Sequence, residues 1–103
     1  MREDGGAALR VVVRLATALR THAAGEGRLE LEVPGATLRD VLDAVAAAHP
    51  AVGRRIRDEA GALRRHVNVF VGADNARDLG GLDAPVPEGA EVSVLAAVSG
   101  GDR

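Results

Sequence analysis

The chain has 103 residues and a formal net charge of −2 at pH 7, so we expect one domain with a modest core. It contains no cysteine, which excludes disulfide bonds, thiolate metal sites and chemistry on a cysteine sulfur. The near-balance of charge gives no electrostatic basis for binding nucleic acid or an anionic membrane. No apolar run approaches the roughly 20 residues that cross a membrane, so no membrane partner is expected.

The lack of lysine and the single aromatic residue are two further informative features of the composition. All thirteen basic residues are arginine, so no side chain of this protein can accept an isopeptide bond. Phe70 is the only aromatic residue, which makes the expected core aliphatic. Residues 1–7 contain no apolar core of a secretion signal, so we expect a disordered N-terminus and a cytoplasmic protein.

Alternating residues predict the first two strands. Apolar side chains occupy every second position of Leu9–Leu15 and again of Arg28–Val33. Such alternation buries one face of a strand and exposes the other. Residues 17–27 between them are small and polar with two glycines, and are predicted to be the long connection of a hairpin.

One main helix follows the second strand. Thr37 has the character of an N-cap, and Asp40 stands where a capping-box acid contacts the start of the helix. Apolar residues recur at helical spacing through residues 37–49, and Pro50 is expected to stop the helix. A shorter helix is predicted over residues 51–59.

Two more strands complete the predicted sheet. Residues 66–71 alternate with three valines on one face, and residues 91–98 alternate in the same way. Residues 72–81 contain turn residues around a short segment at 76–79. Within them, the diglycine at 80–81 is interpreted as a structural turn.

The order of elements is β-β-α-β-(β)-β with one main helix. Because the first and last strands are the most uniformly apolar on their inner faces, we place them side by side at the centre of the sheet. This predicts an α+β fold of the β-grasp (ubiquitin-like) type. We expect a mixed four- to five-stranded sheet packed on one main helix plus a short second helix, with the domain spanning residues 8–98.

A second diglycine follows the last strand directly, in Ser99-Gly100-Gly101-Asp102-Arg103. It has no turn to make and no returning strand to connect. Glycine lacks a Cβ, so such a pair is costly to order but passes through narrow openings. We therefore predict that residues 99–103 form a flexible tail. Its Gly101, once the carboxylate is free, is expected to react in another protein's active site.

The same alternation predicts a partner-binding surface. If the valines of residues 66–71 face the helix, Phe70 faces outward, as do Val12 on the first strand and Leu95 and Ala97 on the last. In a β-grasp sheet these strands are neighbours, so the four residues would form an exposed apolar patch. The alternative is a register shifted by one residue, which would place Phe70 in the core.

The remaining polar residues suggest little chemistry. The three histidines show no metal-ligand spacing, and no nucleophile triad or phosphate loop is present, so we expect neither a metal site nor an enzyme. A basic stretch is interpreted as a solvated helix face or, alternatively, as a contact for an acidic partner. It comprises Arg54, Arg55, Arg57, Arg64 and Arg65.

Three segments together carry a family resemblance: LRRHVNVFV at 63–71, RDLGGLD at 77–83 and VPEGAEVSVLAAVSGG at 86–101. They resemble the MoaD/ThiS family of sulfur-carrier proteins, and within it the CysO-type carriers of actinobacterial cysteine biosynthesis. The resemblance runs from about residue 9 to residue 101. The combination is specific, whereas a terminal diglycine alone is not.

The resemblance implies a cycle of activation and delivery at Gly101. An E1-like enzyme (MoeB-, MoeZ- or ThiF-like) adenylates the glycine carboxylate with ATP, and sulfur replaces the adenylate to give a thiocarboxylate. In the cysteine pathway this group attacks an activated serine derivative on a pyridoxal-phosphate-dependent cysteine synthase, and a metalloprotease releases the product. The carrier itself binds no cofactor tightly; ATP is used by the activating enzyme.

One departure from the family concerns the residues after the diglycine. Family members usually end at the second glycine, whereas Asp102-Arg103 follow Gly101 here. While they remain, Gly101 carries an amide and cannot be adenylated. We therefore expect a peptidase, by resemblance a metalloprotease, to cut between Gly101 and Asp102 before activation.

Several roles remain open beside the carrier in cysteine biosynthesis. Within the carrier class, the alternatives are a MoaD-like small subunit of molybdopterin synthase and a sulfur donor for a thio-containing natural product. A different class is a ubiquitin-like modifier, conjugated through Gly101 to lysines of target proteins. The last is a β-grasp interaction module with an inert tail.

Overall fold

The computed structural model describes residues 8–96. Within this range, five strands and three helices follow one another as β1 Leu9–Leu15, α1 Thr17–Arg20, β2 Arg28–Val33, α2 Leu38–Ala48, α3 Pro50–Ile56, β3 Val67–Val71, β4 Asp74–Asn75 and β5 Glu91–Ala96. Short 3₁₀ turns cover Thr21–Ala23, Ala76–Leu79 and Gly81–Asp83. None of the helices in this part of the chain is long and apolar enough to cross a membrane.

The strands form one mixed sheet in the order β2-β1-β5-β3-β4. β1 pairs antiparallel with β2 and parallel with β5, where Val13 lies opposite Val92. β5 in turn pairs antiparallel with β3, where Val69 lies opposite Val94. The first and last strands are therefore neighbours in the interior of the sheet, as the sequence predicts.

The core lies between one face of this sheet and the helices. Alternation holds on every long strand: Val67, Val69 and Val71 are buried, whereas Asn68 is exposed. On the helical side, Leu42 and its apolar neighbours of α2 are fully buried. Among the described residues every buried side chain is apolar, so the core is held by aliphatic burial and packing.

The predicted start of the main helix is confirmed. The Asp40 backbone N–H donates to Thr37 Oγ1 at 3.3 Å, and the Thr37 N–H donates to Asp40 Oδ2 at 3.2 Å. These two bonds form the capping box, which satisfies backbone donors that have no partner within the helix.

Two boundaries differ from the predictions. The prediction that residues 17–27 form only a connecting loop was wrong, because this segment contains α1, whose Leu19 is buried. A helix of four residues is too short to show apolar periodicity, so the sequence pattern hides it. The second helix, α3, begins at Pro50 and ends at Ile56 instead of spanning 51–59. Proline fits the first turn of a helix because its missing N–H would have no partner there.

Candidate functional site

The candidate site is the end of the sheet at which β5 finishes. Its last described residue, Ala96, lies opposite Val67, the first residue of β3. Five residues with predicted roles lie outside the described residues: the reacting Gly101, the tail residues Ser99 and Gly100, Asp102 at the processing site, and Ala97 of the patch. Their roles stay predictions, as do the disordered residues 1–7 and the flexible tail at 99–103. Gly101 is the fifth residue after Ala96, which corresponds to roughly 17 Å at full extension.

The sheet face turned away from α2, here called the outer face, carries the described members of the predicted patch. Leu95 is 47% exposed, while Phe70 and Val12 are partly buried. The register places Phe70 opposite Ser93 and Asn68 opposite Leu95, so Phe70 and Leu95 are diagonal neighbours. Side chains at such diagonal positions come into contact when one of them is aromatic or long. The ring of Phe70 therefore belongs to the outer face and not to the core.

Val12 is set apart from this pair by polar residues. It lies opposite Glu91 on β5, whereas Phe70 lies opposite Ser93. On β1, Arg14 lies opposite Ser93 of β5, and it forms an ion pair with Glu91. The apolar part of the outer face is therefore centred on Phe70 and Leu95, with Val12 beyond a polar strip.

Arg77 is a positioning residue that the sequence analysis did not single out. Its Nη1 donates to the Val67 carbonyl at 2.9 Å and to Asn68 Oδ1 at 3.0 Å, and its Nη2 donates to the Arg64 carbonyl at 3.1 Å. These bonds hold the start of β3, beside the last described residue of β5. No spacing pattern reveals them, because two of the three acceptors are backbone carbonyls at least ten residues away.

The internal diglycine and the histidines were also singled out from the sequence. Gly80 and Gly81 adopt φ of 107° and 68°, a left-handed conformation that glycine accepts without strain, so the internal diglycine is a turn as predicted. Within residues 8–96, no three histidine or acidic side chains gather into a group that could hold a metal ion.

A mixed sheet of this strand order, packed on one main helix, defines a ubiquitin-like β-grasp protein. The sequence comparisons then identify the family. Residues 13–101 match the ThiS family, and the chain belongs to it. The matched region includes Gly100 and Gly101 and stops before Asp102.

Three relatives illustrate the range of the similarity. The sulfur carrier protein CysO of Mycobacterium tuberculosis is 33% identical over 90% of this chain and 100% of its own length. The structure of the Amycolatopsis orientalis BexX/CysO complex contains a chain that is 37% identical with a TM-score of 0.76, covering 86% of this chain and 97% of that one. Small archaeal modifier protein 1 of Haloferax volcanii is 35% identical over 78% of this chain and 88% of its own length.

Proposed function

We propose that this protein is a sulfur carrier in which Gly101, freed of Asp102-Arg103, is converted to a thiocarboxylate that donates sulfur. The observation that carries the proposal is the ThiS-family match, which continues through the diglycine to Gly101. Membership of the family and the similarity to CysO carriers support the class. The protein is a cosubstrate of other enzymes and not itself an enzyme.

The chemistry explains why a carrier needs a partner that uses ATP. A carboxylate is a poor electrophile, so its oxygen first attacks the α-phosphorus of ATP and pyrophosphate leaves. A hydrosulfide equivalent then forms the C–S bond as the C–O bond to AMP breaks, and the thiocarboxylate and AMP are released. Both steps occur in the site of an E1-like enzyme, so the carrier needs no resident cofactor. The use of ATP favours a cytoplasmic location.

The lack of cysteine is compatible with this chemistry. A thiocarboxylate sulfur would exchange readily with thiols and disulfides in its surroundings. Since the chain has no cysteine, that sulfur finds no partner on its own protein. The body can therefore carry an activated sulfur without trapping it.

We further propose that the sulfur is delivered for cysteine formation, because the chain is 33% identical to a CysO protein over that protein's whole length. The partners would be the E1-like enzyme, the trimming metalloprotease and a pyridoxal-phosphate-dependent cysteine synthase. A MoaD-like role would replace that synthase by the large subunit of molybdopterin synthase, and a third role would supply a natural-product synthase. Identifying the synthase that co-purifies with the thiocarboxylated protein distinguishes these three.

A modifier function is the second candidate, and one observation favours it. The chain is 35% identical to small archaeal modifier protein 1, a value as high as its identity to the mycobacterial CysO. In that role the carboxylate of Gly101 would be joined to lysines of other proteins.

Mass spectrometry of the protein isolated from its own host tests the proposal. A C-terminal peptide that ends at Gly101 and is heavier by the difference between sulfur and oxygen supports the carrier. Glycyl-glycine remnants on lysines of other proteins, without a thiocarboxylate, would support the modifier instead. Protein that always retains Arg103 would contradict both.

The outer face provides a prediction about docking of the activating enzyme. Leu95→Ala is expected to leave the free energy of unfolding within about 1 kcal/mol of the original, because Leu95 is 47% exposed. The same variant should raise the KM of the carrier in the adenylation reaction roughly 10-fold, as truncation of an interface anchor does. Phe70→Ala should raise KM as well, with a larger stability loss of about 1–2 kcal/mol because the ring is partly buried.

The matched control is Leu82→Ala, which removes the same atoms from the 3₁₀ turn Gly81–Asp83. It is expected to lower stability without changing KM. Equal KM changes for Leu82→Ala and Leu95→Ala would show that the outer face does not dock the enzyme.

A further inference from the structure

A depression of about 400 Å³ lies beside α3 and the start of β3, and its lining is strongly basic. Arg54, Arg55 and Arg64 line it together with His66 and Ala51. We call the three arginines the arginine cluster. Of the acidic side chains that the structure describes, none takes part in this lining.

None of the carboxylates described in the structure forms an ion pair with the arginine cluster. Within residues 8–96, no carboxylate lies within 4 Å of a guanidinium nitrogen of the cluster, whereas the nearby Arg57 pairs with Asp43 at 2.8 Å. Asp58 and Glu59 line an adjacent depression together with Arg54 and Arg64, and Asp58 Oδ1 accepts the backbone N–H groups of Ala60 and Ala62. The depression itself is thus lined by three guanidinium groups and no carboxylate, while the two acidic residues stand beside it, on a protein of net charge −2.

Local structure accounts for only part of this arrangement. Arg64 Nε donates to the Arg54 carbonyl at 2.9 Å, which satisfies one acceptor at the end of α3. Arg54 and Arg55 lie in the last turn of α3, where the helix dipole is favourable for positively charged side chains. Yet neither of these side chains donates a hydrogen bond within the described residues, and both are exposed. Within residues 8–96, their guanidinium groups therefore have no bonded acceptor.

The position of the cluster links it to the reacting end of the chain. His66 directly precedes Val67, and Val67 lies opposite Ala96, the last described residue of β5. The basic depression is therefore at the end of the sheet from which the chain continues toward Gly101. Arg77 fixes this arrangement by bonding to the Arg64 and Val67 carbonyls.

We propose that the arginine cluster is a docking surface for acidic side chains on the enzyme that activates Gly101; this rests on the proposed function. Guanidinium groups pair with carboxylates through two parallel hydrogen bonds. A positive surface around the entering chain end would speed association with an acidic rim and orient the body. The complementary partner is an acidic protein surface around the opening of the active site.

Phosphate groups of the nucleotide are a less suitable occupant. An extended segment from Ala96 would place the Gly101 carboxylate, and the phosphorus it attacks, up to roughly 17 Å from the end of β5. The cluster lies on the body beside that end, so it faces the surface of the enzyme while the nucleotide lies deeper. This separation favours protein carboxylates.

The test compares two double variants of the chain ending at Gly101 in ATP–pyrophosphate exchange with the E1-like enzyme of the same host. Arg54→Gln with Arg55→Gln removes two charges of the cluster without deleting a described hydrogen bond. Arg10→Gln with Arg39→Gln removes two charges from exposed ion pairs with Glu32 and Asp83; Arg10, although on the outer face, lies near the start of β1, away from the end of β5 that leads to Gly101. We expect KM for the carrier to rise about 10-fold for the first pair and less than about 2-fold for the second at low salt. At high ionic strength the difference should largely disappear, because exposed charges are screened.

Each result decides between the proposals. If the unsubstituted carrier supports no exchange, the proposed function fails and the docking surface with it. If it supports exchange and the two double variants behave alike, only the docking surface is wrong. If the Arg54/Arg55 variant changes KM for ATP and not for the carrier, the cluster binds nucleotide phosphate and the acidic-partner proposal is overturned. Circular dichroism of both variants checks that the fold is retained.

Discussion

The chain ending at Arg103 is expected to support no ATP–pyrophosphate exchange with its activating enzyme, whereas the same chain ending at Gly101 is expected to support it. In the longer chain the carbonyl of Gly101 is part of an amide, which has no carboxylate oxygen to attack ATP. The free carboxylate then belongs to Arg103, two residues further along and on a bulky charged residue. Removal of Asp102-Arg103 is therefore expected to act as an on-switch for the carrier.

A chain ending at Gly100 is the matched control for this prediction. It also has a free glycine carboxylate, but its end is about 3.3 Å short of the position of Gly101. Because misplacement of a reacting group by about 1 Å can cost 100-fold in rate, exchange should fall at least that far. All three chains should unfold at the same temperature, since residues 8–96 contain the described core. Thiocarboxylate on Arg103 of the untrimmed protein would contradict the proposal.

The sequence predicts the β-grasp fold because each long strand carries its own signal. Alternation in Leu9–Leu15 and Val67–Val71 identifies the buried face directly, and the pairing of β1 with β5 follows from their apolar character. The helix start at Thr37 is equally local, since the capping box involves residues three apart. The α1 helix was missed because its one buried residue, Leu19, cannot by itself define a period.

The candidate site is less predictable because it depends on which residues lie opposite one another across strands. The alternation places Val12, Phe70 and Leu95 on one face, but only the register shows that Ser93 and Glu91 separate Val12 from the other two. The basic stretch was visible in the sequence. Only the structure shows which of these arginines are paired: within residues 8–96, Arg57 forms an ion pair with Asp43, whereas Arg54 and Arg55 form none.

Gly53→Ala is expected to lower the free energy of unfolding by roughly 2 kcal/mol, which corresponds to about 8–16 °C in Tm for a domain of this size. Gly53 is buried in α3, and a Cβ there would lie 2.6 Å from the Cβ and 2.9 Å from the Cα of Ala46 in α2. The better helix propensity of alanine, worth up to about 1 kcal/mol, offsets only part of this overlap. Urea unfolding of the two proteins measures the difference.

A double-mutant cycle shows whether the overlap is the cause. Ala46→Gly removes the nearer of the two clashing atoms, so the double variant should recover about 1 kcal/mol beyond the sum of the single effects. Ala47→Gly is the control, because it makes the same change at an exposed position of α2 and should show no coupling to Gly53→Ala. Equal coupling at both positions would show that propensity and not contact determines the result. Arg54 and Arg55 follow Gly53 on α3. If Gly53→Ala displaces this helix, it should also weaken the salt-dependent part of docking to the activating enzyme.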